Sequence, residues 1–140
     1  MMTYSIKSGG IYKDNRGSLF HVNDFDMDKV RRFYVIENSE KNPKRAWQGH
    51  QFESKWFYCL KGSFVVGLVQ PDNWENPSKE LRVETLILKD SKSEILHIPP
   101  GYANGIVSLE RESKLLVFSD FDIEKAATDN IKFDINTWAL

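Results

Sequence analysis

One cysteine stands among 140 residues, which excludes an internal disulfide and any metal site built from clustered thiolates. No run approaches the ~20 apolar residues of a membrane-spanning helix. The first ten residues, Met-Met-Thr-Tyr-Ser-Ile-Lys-Ser-Gly-Gly, lack the apolar stretch of a secretory signal, which predicts a cytoplasmic protein. Neither sign of charge dominates: 19 Lys and Arg face 20 Asp and Glu, for a formal net charge of −1. That balance removes the basic footprint of a nucleic-acid binder. There is no internal repeat, low-complexity tract or linker, so residues 1–140 read as one domain, long enough to bury roughly 68–70% of its unfolded surface. Aromatic residues are plentiful at 13%, and a small molecule is the partner that suits what remains.

Helical periodicity is also scarce. No segment of ten or more residues keeps a clean 3.6-residue period. Short apolar or alternating runs recur instead about every ten residues, bounded by Gly, Pro, Asn or Asp. They are Ser18–Asn23, Arg32–Glu37, Lys55–Leu60, Ser63–Gln70, Arg82–Leu88, Glu94–Ile98, Gly105–Leu109 and Lys114–Ser119. Their Val, Ile, Phe, Tyr and Trp suit a pleated, half-buried surface. Phe64, Val66 and Leu68 fall on one face of their run, Val65 and Val69 on the other. Lys55–Leu60 is apolar on both faces after its lysine, as in a strand covered on two sides. One or two helical turns are expected around Ile123–Thr128, with Asp122 as N-cap. The pattern predicts an all-β sandwich or barrel with at most one short helix. The longest polar interruption, 70–80, is long for a hairpin. Trp74 in its middle either covers a ligand or folds back to anchor the loop, and packing is the commoner role.

Two stretches carry the chemistry. The first is Arg45-Ala-Trp-Gln-Gly-His50 and its continuation to Gly62; the second is Ile98-Pro-Pro-Gly-Tyr-Ala-Asn-Gly105. Gln48-x-His50, Lys55 and Gly62 keep the spacing of the first cupin motif, in which His-x-His is followed by an acid and a glycine. Pro99-x-Gly101-x-x-Asn104 keeps the spacing of the second, Pro-x-Gly-x-x-His. The chain thus resembles the cupin superfamily, which implies a jelly-roll fold. Three of the four positions that ligate metal in metal-dependent cupins here hold Gln48, Lys55 and Asn104. An ammonium repels a dication and offers no lone pair, so no metal or other cofactor is expected. Stoichiometric iron or manganese in purified protein would instead indicate an oxygenase.

Four segments in order resemble two metal-free branches, the dTDP-4-dehydrorhamnose 3,5-epimerases and the dTDP-4-keto-6-deoxyglucose 3,4-ketoisomerases. Asp14-Asn-Arg-Gly-Ser-Leu19 is similar to an Asp-x-Arg-Gly segment of both. Arg32-Phe-Tyr-Val-Ile-Glu-Asn38 is similar to their Arg-x-Tyr strand. Arg45 with Gln48 and His50 is similar to the ketoisomerases' Arg-Gly-x-His-x-His, and Ile98–Gly105 to the epimerases' Ile-Pro-Pro-Gly-x-Ala-His-Gly. Length favours the ketoisomerases.

The resemblance implies proton transfer beside the ketone of a dTDP- or UDP-linked 4-keto-6-deoxyhexose, in surface-polysaccharide biosynthesis, by a homodimer. A 4-keto group acidifies the hydrogens on C3 and C5, so a base removes one where the enolate is stabilised. His50 is the candidate base, and Tyr34 the proton relay or donor on the opposite side. Arg45 and Lys55 would contact the enolate or phosphate, Arg16 the diphosphate, and Gln48 and Asn104 the sugar. Gln48 replaces a family histidine and takes no proton at neutral pH, which leaves the base role to His50. Asp134 falls, loosely, where the epimerases carry a carboxylate that orients their histidine.

Each of these residues also has a plainer reading. His50 would be a satisfied core residue. Lys55 would either meet a bound anion or cap its strand at the rim. His21 and His97 read as structural or surface residues, Cys59 as an inert buried thiol, and Asp120, Asp122 and Glu124 as a solvated edge. The competing function is a degenerate cupin that binds a nucleotide sugar without turnover, as Gln48 and Asn104 suggest.

Overall fold

A computed structural model describes residues 2–140. Strands β1 (Ser5–Ser8), β9 (Glu94–Ile98), β6 (Lys55–Lys61), β11 (Lys114–Ser119) and β4 (Arg32–Ile36) form one antiparallel sheet in that order. Strands β12 (Ile131–Lys132), β5 (Lys44–His50), β10 (Tyr102–Ser108), β7 (Ser63–Val69) and β8 (Glu84–Lys89) form a second. Strands β2 (Gly10–Asp14) and β3 (Gly17–His21) make a separate hairpin. The helix expected near residue 123 is a single turn, α1 (Ile123–Ala126), followed by a 3₁₀ turn over Ala127–Asp129. Asp122 caps it, its carboxylate accepting the Lys125 backbone N–H at 2.8 Å. No helix among the described residues is long and apolar enough to cross a membrane.

The two five-stranded sheets enclose the core, because alternate residues of each strand point inward. Phe64, Val66 and Leu68 are buried there with Phe57, Leu96, Leu115 and Val117. Burying such side chains is worth roughly 1.5–3 kcal/mol each. Gly62 turns β6 into β7 at φ +72°, and a Cβ there would sit 2.1 Å from Ser113 Oγ. Both facts require glycine at this position of the first motif.

The second sheet has a covered outer face. Trp47 is fully buried there with Val69, Ala103 and Trp138, and Phe133 and Leu140 pack against them. Trp74 anchors its loop on this face: a Cβ on Gly49 would lie 2.5 Å from its ring, and Phe133 is its aromatic neighbour at 6.0 Å. The outer face of the first sheet differs. Trp56 is covered in part by Phe25 and stacks on His97 at 4.9 Å, yet Phe33 is 67% and Val35 48% exposed.

Strands β1, β2, β5 and β12 do not stand out in the sequence. In β5 the reason is that Arg45, Gln48 and His50 line a cavity, so its inner side is polar. β8 begins at Glu84 rather than Arg82, and β10 at Tyr102 rather than Gly105.

Candidate active site

The inner face of the first sheet grades from polar at one end to apolar at the other. Arg32, Ser119 and Lys55 lie side by side across β4, β11 and β6. The next row inward is Tyr34, Val117 and Phe57, and the one beyond it Ile36, Leu115 and Cys59. Gln48 and His50 face this polar end from β5, two residues apart and therefore on one side of their strand.

Arg45, at odd spacing from both, would point outward in a regular strand. The pairing slips between Asn104↔Gln48 and Ile106↔Arg45, so β5 carries one residue more than β10 over that stretch. This bulge turns Arg45 to the cavity side. A narrow recess is lined by Tyr34, Arg45, Gln48, His50, Lys55 and Asn104 among others. A wider space of about 270 Å³ shares Tyr34, Gln48, His50 and Lys55 and opens past Arg32, Ile123 and Asn130. Six of the seven residues expected at the site therefore converge. Arg16 does not: its side chain is 83% exposed on the β2–β3 hairpin and pairs with Asp14 at 2.6 Å.

Glu53 sits at the centre of the polar end and was missed by the sequence reading. It is 1% exposed. Its Oε2 accepts the Ser119 hydroxyl and lies 3.0 Å from Lys55 Nζ and 3.5 Å from Arg32. Its Oε1 lies 3.2 Å from His50 Nδ1. Burial alone would raise the Glu53 carboxyl, but the His50 ring, the Ser119 hydroxyl and Lys55 together bring it down to about 2.

Lys55 therefore fits neither alternative posed for it. Its counter-charge is internal, and it also donates to Tyr34 Oη at 2.9 Å. The tyrosine's own O–H is left to point elsewhere. Arg32 and Lys55 each lie 5.0 Å from its ring centroid.

The residues after His50 are clamped from the far end of the chain. Asp129 accepts the backbone N–H groups of Gln51, Phe52 and Glu53, each at 2.8 Å. Its carbonyl accepts from His50 Nδ1 at 2.8 Å. Asp120 takes the Ser54 N–H at 2.8 Å and is half-buried, which corrects its assignment to a solvated edge; burial pushes its carboxyl up. Asp134 is exposed and accepts from its own turn, so the carboxylate beside His50 is Glu53 instead. Burial pushes the Cys59 thiol up to about 11, consistent with an inert side chain. It also pulls His97 down, while His97 Nε2 and His21 Nδ1 stay buried without partners.

His50, Glu53 and Asp129 bring one possible ligand atom each within 4.8 Å of the others. The set suits a cation poorly, since both Asp129 oxygens already accept N–H groups and an ammonium holds Glu53. What the arrangement offers is acid–base chemistry: an imidazole, a phenol and three cations, Arg32, Arg45 and Lys55, around a cavity.

This architecture is a cupin jelly roll, as the two motifs imply. Residues 2–134 match the family described as FdtA, WxcM-like, C-terminal, and the chain belongs to it. The family resemblance read from the four segments is thereby borne out. No curated protein matches the sequence. Among solved structures, it is similar to QdtA, a sugar 3,4-ketoisomerase from Thermoanaerobacterium thermosaccharolyticum in complex with TDP, at 22% identity and TM-score 0.72, covering 94% of this chain and 88% of that one. It is similar to the WlaRB TDP-quinovose 3,4-ketoisomerase from Campylobacter jejuni at 20% identity and TM-score 0.72, covering 95% of each. It is also similar to the rmlC epimerase of Mycobacterium tuberculosis at 18% identity and TM-score 0.74, covering 93% of this chain and 68% of that one.

Proposed function

We propose that the protein is an isomerase that moves a proton beside the ketone of a dTDP- or UDP-linked 4-keto-6-deoxyhexose, without a metal, as a 3,4-ketoisomerase or a 3- or 5-epimerase. The observation that carries this reading is the convergence of His50, Tyr34, Lys55 and Arg45 on one cavity. His50 Nδ1 faces two acceptors, so the neutral ring keeps its proton there and presents Nε2 as the base. Tyr34, whose oxygen accepts from Lys55, presents its hydroxyl proton as donor. Lys55 and Arg45 supply the positive field for the enolate, and Arg45 has no carboxylate within ion-pairing distance among the described residues. Gln48 and Asn104 provide amides for sugar hydroxyls. The wide space, about 270 Å³, is at the small end for ligand pockets and suits a sugar ring, with the nucleotide outside it. In this reading the protein works in the cytoplasm and its product feeds cell-surface polysaccharide synthesis.

The test is proton NMR of dTDP-4-keto-6-deoxyglucose in deuterated water. Enzyme-dependent deuterium at C3 or C5 is expected, and its position separates isomerase from epimerase. Binding without exchange would favour the degenerate cupin, the reading that Gln48 supports. Neither binding nor exchange would sink the nucleotide-sugar assignment.

The protein acts as a homodimer in the same proposal, its second copy covering the first sheet's outer face. Phe33 and Val35 are exposed there, and a groove of about 640 Å³ runs past Phe20, Phe25, Leu60 and Phe118. The other sheet needs no such cover, because the C-terminal residues already pack on it. An apolar sheet face of this kind marks an interface. A monomer by analytical ultracentrifugation at micromolar concentration would overturn this part.

A further inference from the structure

We propose that Glu53 is the counter-ion for the charge His50 acquires when it takes a proton from the substrate. This inference rests on the reaction proposed above. The two oxygens of Glu53 are used unequally. Oε2 is served by Ser119, Lys55 and Arg32, whereas Oε1 is buried without a hydrogen-bond donor. The polar group beside Oε1 is His50 Nδ1, 3.2 Å away, and its proton is directed at the Asp129 carbonyl at 2.8 Å. One N–H thus has two acceptors with different roles. The carbonyl fixes the neutral tautomer; the carboxylate is held in reserve.

The proton balance is simple. Nε2 takes the hydrogen from the carbon beside the ketone, the C–H electron pair passes into the enolate, and the ring becomes an imidazolium. The same proton returns to carbon when the enolate collapses, or Tyr34 gives one instead, and then His50 loses its proton to water and the Tyr34 phenolate regains one from water. No oxidant or reductant is needed.

In the charged state His50 joins Lys55, Arg32 and Arg45 as a fourth positive group around the cavity. Tyr34 is neutral, and the Asp129 carboxylate is committed to backbone N–H groups. Glu53 is the carboxylate in contact with His50, Lys55 and Arg32, and an opposite charge this close favours the charged form of the ring. Glu53 acts through His50, which makes it a positioning residue rather than a catalytic one.

The test compares wild type with Glu53→Gln in two ways. In the exchange assay, kcat falls at least tenfold while KM changes less than threefold, because Glu53 borders the wide space but is only 1% exposed and so offers the sugar almost no surface. In ¹⁵N-edited NMR at a fixed mildly acidic pH, the fraction of His50 carrying both ring protons falls at least tenfold, and the neutral fraction keeps its Nδ1 proton. An unchanged charged fraction overturns the proposal. So does a switch of the neutral ring to the Nε2–H form, which would make Glu53 a tautomer lock instead.

The NMR readout stands even where wild type shows no exchange, so failure of the proposed reaction and failure of this inference are separable. Glu53→Gln strips Lys55 of its counter-charge and can fail to fold. The wild type then decides: the Glu53 side-chain carboxyl carbon must shift in step with His50 protonation, and independent movement overturns the proposal.

Discussion

His50→Asn should abolish proton exchange into the keto sugar while leaving the protein folded and able to bind it. Asparagine places an N–H where the ring now holds Nδ1, so a donor for the Asp129 carbonyl is retained and the turn after β5 keeps its anchor. What is lost is Nε2, the nitrogen proposed as the base. General-base catalysis by a positioned side chain contributes roughly 10²–10⁴-fold, and a loss of that order in the deuterium-exchange rate is expected. Gln48 cannot substitute, since an amide takes no proton near neutral pH. The nucleotide-sugar Kd, read by calorimetry, should change by less than about fivefold, a range of roughly 1 kcal/mol. A variant exchanging within tenfold of wild type would place the base elsewhere, with Tyr34 the next residue to test.

Asp129→Asn should be among the most destabilising isosteric changes in the chain. Its Oδ1 accepts one backbone N–H, from Gln51, and its Oδ2 accepts two, from Phe52 and Glu53. An amide offers one oxygen and one NH₂ group. Whichever way it turns, the NH₂ faces at least one of these N–H groups, donor against donor. Each such unsatisfied group costs about 1–3 kcal/mol, so a loss of about 2–4 kcal/mol is expected. That corresponds to a drop in Tm on the order of 10 °C, readable by circular dichroism. Catalysis should suffer too, because the clamped residues include Glu53 and because the His50 bond goes to the same residue's carbonyl. A Tm within about 2 °C of wild type would show that the clamp does not depend on the carboxylate's charge.

Most of the architecture was legible in the sequence because period-2 alternation survives wherever one face of a strand is apolar. β7 reads cleanly for that reason: Phe64, Val66 and Leu68 all enter the core. β5 does not, because its inner face is chemical and its outer face carries Trp47 and two glycine- or alanine-sized neighbours shaped to the C-terminal residues. The Pro-Pro-Gly turn and the spacing from Gln48 to Gly62 survive as frames even with changed side chains. They need particular backbone geometry, as Gly62 does at φ +72°.

Which residues form the site was only partly legible. Gln48, His50, Lys55 and Asn104 could be named from spacing and resemblance, and the structure does bring them together. Arg45 was named too, but the bulge that makes it face the cavity is invisible to any alternation rule. Glu53 lies three residues beyond His50 in plain view. A lone glutamate in a loop reads as solvated, however, until two distant strands bring Arg32 and Ser119 onto it beside its near neighbour Lys55. Asp129 is separated from the backbone it holds by 76–78 residues, and no local pattern announces such a clamp.

The sequence by itself determined the all-β class, the turn positions and the presence of an imidazole, a phenol and several cations in a cupin frame. These follow from interactions between residues near in the chain: alternation, turn chemistry and motif spacing. Only the tertiary structure decided which carboxylate meets His50, which nitrogen of that ring a backbone carbonyl holds, and that Lys55 is neutralised from within. It also left Arg16 outside the cavity. Glu53 stands only three residues from His50 and two from Lys55, yet these pairings become definite only when Arg32, Ser119 and Asp129, far away in the chain, close over them, exclude water and set each donor against one acceptor.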